Sequence, residues 1–121
     1  ADCNRMACKL QGPVIETVHG SDILSDGIVE GSVQVSSSGQ PIVMLAAHQT
    51  TGGYAKIATV ISADLPALAQ LRPGQQVAFT LTDPARAVAA ARTQAACLKQ
   101  VADRLAARTT PKFIHAGRLF L

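Results

Sequence analysis

Gly39-Gln40-Pro41-Ile42-Val43-Met44-Leu45-Ala46-Ala47-His48-Gln49-Thr50-Thr51-Gly52-Gly53-Tyr54 carries an apolar run of strand length into a polar, glycine-broken segment holding the only tyrosine of the chain. A second apolar run, Ile57-Ala58-Thr59-Val60-Ile61, follows at once. Two apolar strands joined by a polar turn predict a β-rich core. A simple reversal does not need so many amides and hydroxyls. Adjacent glycines let a ligand approach backbone N–H groups closely. Residues 49–54, with His48 before them and Lys56 after, therefore form the first candidate site, built from Gln49, Thr50, Thr51, Gly52, Gly53, Tyr54 and Lys56. The plainer alternative is a glycine hairpin whose hydroxyls satisfy its own backbone.

Outward from this stretch, the pattern predicts strands over residues 13–18, 32–35, 42–47, 57–62 and 76–82. The cluster Ser36-Ser37-Ser38-Gly39-Gln40-Pro41 predicts a surface turn. Ser62-Ala63-Asp64-Leu65-Pro66 has the cap-plus-proline form of a helix start, and Arg72-Pro73-Gly74 ends that short helix. Asp83-Pro84 repeats the start signal and opens the clearest helix, at about 84–107. Along it Val88, Ala91, Ala95, Leu98, Ala102 and Leu105 recur at spacings of three and four, a narrow apolar stripe predicted to pack on the sheet. Residues 108–121 form a basic, apolar tail, which adds an edge strand or is an extension outside the fold.

The 121 residues suffice for one domain with one core, and 48% hydrophobic against 16% charged residues excludes a disordered chain. The net charge of +3 sits in the tail: Arg108, Lys112 and Arg118 account for it, and the rest of the chain balances. A neutral body with one Tyr, three Phe and no Trp is a poor nucleic-acid footprint. No apolar run reaches bilayer length, so neither nucleic acid nor membrane is an expected partner. Three cysteines without metal-ligand spacing are expected as reduced thiols in a cytoplasmic protein. The chain opens on Ala-Asp-Cys-Asn-Arg-Met without an initiator methionine, which suggests a piece of something longer.

Two further sites stand apart from the central segment. In Asn4-Arg5, the guanidinium fork suits a carboxylate or phosphate, and the amide can hold a second polar group; a solvated terminal arginine is the alternative. Gln34 lies within an apolar strand, where a buried amide must find partners; it lines a pocket or pins a neighbouring loop. His48 has the acid–base range for catalysis, or is an idle loop histidine. No Ser/His/Asp set, phosphate loop or paired-carboxylate motif is present, so the chain shows no self-contained catalytic machine.

Taken in order, these residues resemble one family. Asn4-Arg5-Met6, Leu10-Gln11-Gly12-Pro13, Asp22-Ile23-Leu24-Ser25-Asp26-Gly27-Ile28-Val29 and Gly31-Ser32-Val33-Gln34-Val35 are its first blocks. Gly39-Gln40-Pro41-Ile42-Val43, Gln49-Thr50-Thr51-Gly52-Gly53-Tyr54 and Lys56-Ile57-Ala58-Thr59-Val60-Ile61-Ser62-Ala63-Asp64-Leu65 continue it. Over residues 3–107 the chain resembles the carboxyltransferase-type family that includes the C subunit of 5-oxoprolinase, proteins like the second subunit of allophanate hydrolase, and the carboxyltransferase domain of urea amidolyase. Members are longer, so the chain is expected to be their C-terminal part.

The resemblance implies a mainly β (α+β) fold: a cyclophilin-like β-barrel-type domain over residues 1–107 with a C-terminal α-helix. It implies a cytoplasmic hydrolase complex with a partner like the B subunit of oxoprolinase and a third oxoprolinase subunit, using ATP bound through the complex to open a small cyclic amide. Biotin enters only if the chain is of the urea or allophanate carboxyltransferase type. A non-catalytic regulatory module binding that same B-type partner is the other alternative. Under the hydrolase reading, Arg5 holds a carboxylate while Gln34 and Gln49 orient the amide. Thr50, Thr51 and the N–H groups of Gly52 and Gly53 stabilise developing oxygen charge, and Lys56 adds positive charge. Departures from the family pattern are Ala7-Cys8-Lys9 where Gly-Tyr-Arg is usual, Ala47 in place of an aspartate, and Glu30 and Ala55 where proline is frequent.

Overall fold

A computed structural model describes residues 2–108. Its elements in chain order are β1 (Asp2–Cys3), β2 (Ala7–Lys9), β3 (Asp22–Gly27), β4 (Ser32–Val35), β5 (Pro41–Met44), β6 (Thr51–Tyr54), β7 (Lys56–Thr59), α1 (Leu65–Ala69) and α2 (Pro84–Arg108). Strands carry the core, and one long helix closes the described chain. This is the mainly β, α+β architecture expected.

The main sheet has five antiparallel strands in the order β1-β2-β5-β4-β7, and β3 with β6 forms a separate two-stranded ribbon. The two sheets do not close into a barrel, which corrects the barrel-type expectation for the described residues. In the main sheet, Cys3 pairs Cys8, Cys8 pairs Val43, Val43 pairs Val33 and Val33 pairs Ala58. Alternation along each strand puts this row on one face. Cys8, Val33 and Val43 there join Leu10, Leu45 and Leu68 of α1 in a single buried cluster. The intervening residue Gln34 turns to the opposite face, toward the ribbon.

β4 is paired on both sides, by β5 and β7, and all four of its residues are buried. Its alternation predicts a half-buried strand. It is covered on both faces because the ribbon lies over the side that α1 leaves open. Its polar residues have partners: Ser32 Oγ accepts from Val29 N at 3.2 Å, and Gln34 Nε2 donates to the Tyr54 carbonyl at 3.1 Å. Gly31 precedes the strand with φ +87°. Its N–H donates to Met44 O and its carbonyl accepts from Val60 N, both at 2.8 Å.

Both helices start where the capping residues predict. Asp64 is the N-cap of α1, with proline in the first turn. Asp83 Oδ1 accepts the Arg86 N–H at 2.8 Å ahead of the 25-residue α2. The predicted packing of α2 does not follow. α2 buries no residue, and Val88 and Leu98 of its apolar stripe are 49% and 64% exposed. A side-chain tie to the body is made by Gln94 Nε2, which donates to Ala63 O at 3.2 Å. Helical periodicity sets which face is apolar, but a packed seam also needs an opposing surface.

Two predicted strands are absent for a related reason. Residues 13–17 and 75–83 lie outside helix and strand. The first is tied to Gly39 by Ile15 N donating to its carbonyl at 2.9 Å, and the second leaves Phe79 and Leu81 exposed. Alternation makes a segment competent for pairing, and only a neighbouring strand realises it. The predicted reversal over 49–54 is also corrected. The turn falls at Ala46 and Ala47, with His48 N donating to Leu45 O at 3.0 Å, and residues 51–54 are the strand β6. The cysteines depart from expectation as well, because Cys3 and Cys8 are joined as a disulfide and Cys97 is free and exposed. Most of the tail, from residue 109 onward, lies outside the described residues, as does any edge strand there.

Candidate functional site

Folding brings four of the predicted residues together: Gln34, Gly52, Tyr54 and Lys56. Gln34 on β4 lies opposite Lys56 on β7 in the main sheet, while its amide reaches the Tyr54 carbonyl on β6. It is 2% exposed, so its hydrogen bond forms in a setting that strengthens it. Gly52 is what lets the ribbon approach. A Cβ there would stand 2.5 Å from Ile28 Cδ1 and 2.8 Å from Gln34 Nε2. Neither Gly52 nor Gly53 has positive φ, unlike Gly20, Gly31, Gly39 and Gly74. Gly52 serves close approach, not reversal.

Lys56 is tied down. Its Nζ donates to Asp26 Oδ2 at 2.5 Å and to the Gly27 carbonyl at 2.6 Å. Asp26 lies opposite Gly52 in the β3–β6 ribbon, so the ion pair fastens β7 to the far strand of the ribbon. The Lys56 hydrogen bond, then the Gly27 N–H donating to Oδ1, then the lysine charge hold the Asp26 carboxyl below its ordinary value; slight desolvation opposes them. Because the folded-state value is depressed, the contribution is present above the unfolded value of 3.8 and is lost as pH falls through the lower folded one. Asp26→Asn should therefore lower the urea midpoint near neutrality, where the contribution is fully present, and flatten the acid limb so that the variant and parent curves converge below about pH 4. A variant curve parallel to the parent through the acid range would show that the pair does not couple to folding.

Sequence reading misses Asp26 as part of this cluster. Thirty residues separate it from Lys56, no local spacing links them, and only the ribbon register brings them together. Asp26 stands within the Asp22-Ile23-Leu24-Ser25-Asp26-Gly27-Ile28-Val29 block, and that block is the one signal that points to it.

Asn4 and Arg5 occupy the tip between β1 and β2. Asn4 Oδ1 accepts from Met6 N at 2.8 Å and Ala7 N at 3.1 Å, so that oxygen builds the turn. Arg5 is exposed and makes no salt bridge among the described residues. The tip touches the central segment through backbone: Leu45 N donates to Met6 O at 2.8 Å and Ala47 N to Arg5 O at 3.1 Å. Arg5 and Asn4 thus sit beside the strap that leads into Gln49, with no side-chain bond to Gln34.

Gln49, Thr50 and Thr51 are exposed. The Gln49 carbonyl lies 2.6 Å from His48 Nδ1, and the Thr50 carbonyl accepts from Ile28 N at 3.0 Å. β6 pairs with β3 on one side only among the described residues, so part of its backbone faces away from any ladder. Two open grooves lie elsewhere. One of about 410 Å³ runs between residues 14–17 and 36–39, and one of about 280 Å³ lies beside Leu10 and Gln75; neither includes a residue of 49–56. Among the described residues no three His, Cys, Asp or Glu side chains gather as a metal site, and no helix is long and apolar enough to cross a membrane.

The chemistry available is hydrogen bonding beside a paired charge: a buried amide, an ion pair, two exposed hydroxyls and a one-sided strand. Comparisons with known proteins fall on this same region. The family model described as carboxyltransferase domain, subdomain A and B, matches residues 1–81. A Haemophilus influenzae protein, named as the C subunit of 5-oxoprolinase, is 51% identical over 79 residues, covering 65% of this chain and 26% of the relative. An Escherichia coli protein of the same name is 41% identical over 102 residues, covering 84% of this chain and 33% of the relative. The chain thus spans about a quarter to a third of the length of these curated relatives.

Proposed function

Because the chain belongs to the carboxyltransferase domain family, subdomain A and B, we propose that it is the amide-recognising portion of a C subunit of the 5-oxoprolinase type. The observation that carries this reading is the cluster of Gln34, Gly52, Tyr54, Lys56 and Asp26, where strands from both sheets meet around one buried amide.

The substrate proposed is a small cyclic amide bearing a carboxylate, as in 5-oxoproline. Arg5 pairs with the carboxylate by its two-pronged guanidinium. Gln49 and Gln34 orient the lactam, with Gln34 fixed by its bond to Tyr54. The Thr50 and Thr51 hydroxyls and the Gly52 and Gly53 N–H groups face the lactam oxygen as negative charge develops on it. Lys56 retains a third N–H beyond its bonds to Asp26 and Gly27, so it offers a donor whose charge is already balanced. ATP is bound by the complex through its other subunits, among them a B-type partner, and biotin has no part in this reading.

Replacing the matching third of the Escherichia coli relative with this chain tests the proposal. Assembled with the other subunits, the chimera should open 5-oxoproline in an ATP-dependent manner within about tenfold of the parent rate, roughly 1.4 kcal/mol of barrier. Arg5→Ala in the chimera should raise the KM for 5-oxoproline more than it lowers kcat. A chimera that assembles fully by sedimentation yet turns over nothing would reject the catalytic reading and favour a regulatory module. Activity indifferent to Arg5→Ala would reject the carboxylate assignment.

A further inference from the structure

The hairpin that carries Asn4 and Arg5 is closed by a cysteine pair. Asn4 N donates to Ala7 O at 2.9 Å, so the pair next to the tip is the hydrogen-bonded one. Cys3 and Cys8, the next pair out, occupy a non-hydrogen-bonded position, where side chains across an antiparallel ladder come closest. Their Cα atoms are 4.0 Å apart. The two sulfurs differ in surroundings. Cys8 is fully buried in the core cluster, and Cys3 packs partly buried against it. β1 is only two residues long and forms the edge of the sheet, so little else holds this end of the hairpin.

We propose that Cys3 and Cys8 form a reversible thiol–disulfide couple that sets how firmly the Arg5 tip is held, while the sheet itself stays folded in both states. A small-molecule disulfide such as oxidised glutathione supplies the oxidising equivalents. The Cys3 thiolate, the more accessible one, attacks a sulfur of that disulfide and releases one glutathione thiolate, which takes up a proton. The Cys8 thiolate then attacks the Cys3 sulfur in the mixed disulfide and expels the second glutathione. Two protein thiols are oxidised and one small disulfide is reduced to two thiols. A dithiol reverses both steps.

The consequence is local because of where the crosslink sits. The tip beyond it is attached to the strap before Gln49 by the amides of Leu45 and Ala47. With the crosslink open, this two-residue edge strand and its tip join the part of the structure that opens at low free energy. β4 and β5, paired on both sides, do not.

The full chain, equilibrated with excess oxidised glutathione or with dithiothreitol, then denatured and alkylated with iodoacetamide, should keep Cys3 and Cys8 joined to each other and unalkylated in the first case, with glutathione taken up only at the exposed Cys97, and should carry three alkylated cysteines in the second. Hydrogen exchange at the Leu45 and Ala47 amides should be about tenfold faster in the reduced protein, with Val33 unchanged. Cys3→Ser should show the fast exchange under both conditions, and Cys97→Ser should preserve the difference. Alkylation of Cys3 and Cys8 after oxidised glutathione would overturn the proposal. So would equal exchange at Ala47 in both states, or acceleration throughout β4 and β5. None of these measurements uses 5-oxoproline, so their outcome is separable from that of the activity test.

Discussion

Gly31→Ala should destabilise the fold by about 2–5 kcal/mol, from about 1–2 for left-handed backbone and about 1–3 for forced overlap. At φ +87° the residue is in the region that an L side chain adopts poorly, and an added Cβ would meet the Val60 carbonyl at 2.7 Å and Leu65 Cδ2 at 3.3 Å. The carbonyl cannot rotate away like a side-chain tip, because Val60 N is itself bonded to Gly31 O. Gly20 is the internal control. Its φ of +82° is nearly the same, but nothing lies within 4 Å of its Cβ position. Gly20→Ala should therefore show only the backbone part, about 1–2 kcal/mol. Urea unfolding of both variants at neutral pH separates the contributions, provided the m-values match. Equal losses would mean that the close approach of the 59–60 backbone to β4 is wrong.

Gly31 also marks where sequence reading succeeds and where it stops. The apolar runs around Val33, Val43 and Ile57 announce a strand-built core, and Asp64-Leu65-Pro66 and Asp83-Pro84 announce two helix starts, because these signals are local. What fails needs partners distant in sequence. Residues 13–18 and 76–82 read as strands, the second by its alternation, yet no strand of the described residues pairs with them to complete a ladder. The stripe on α2 is correctly periodic, but periodicity does not supply a surface to cover Leu98. Gly52-Gly53 reads as a reversal because paired glycines usually are one. Here the glycine is required by Gln34 and Ile28, from elements some 20 residues earlier, and no local rule contains them. The same limit hides Asp26.

The candidate site is half legible for the same reason. Residue types with unsatisfied hydrogen-bonding capacity, such as Gln34 within an apolar strand, are conspicuous in sequence. Which of them meet depends on register. In sequence Gln34 reads as either lining a pocket or pinning a loop, and its bond to the Tyr54 carbonyl gives the second role directly. Asn4 reads as a ligand for an amide, and its Oδ1 is engaged in the turn that presents Arg5.

Gln34→Leu distinguishes a positioning role from a merely structural one. Leucine nearly conserves volume, so the cavity contribution is small. The change removes the Nε2 donor and leaves the Tyr54 carbonyl without it, at a cost of about 1–3 kcal/mol of stability. Gln34→Ala adds lost packing to the same deficit and should be worse, while Gln34→Met tests whether a flexible apolar chain restores packing alone. If Gln34 only holds β6 against β4, the chimera carrying Gln34→Leu should keep its kcat/KM once folded, with all of the loss in its unfolding midpoint. If it also orients the lactam, kcat/KM for 5-oxoproline should fall by roughly 10–100-fold at temperatures where the variant is fully folded. Steady-state kinetics beside urea unfolding of one preparation decide between these. An unfolding midpoint that does not move would remove Gln34 from the supporting role, and an unchanged kcat/KM beside it would remove the residue from both.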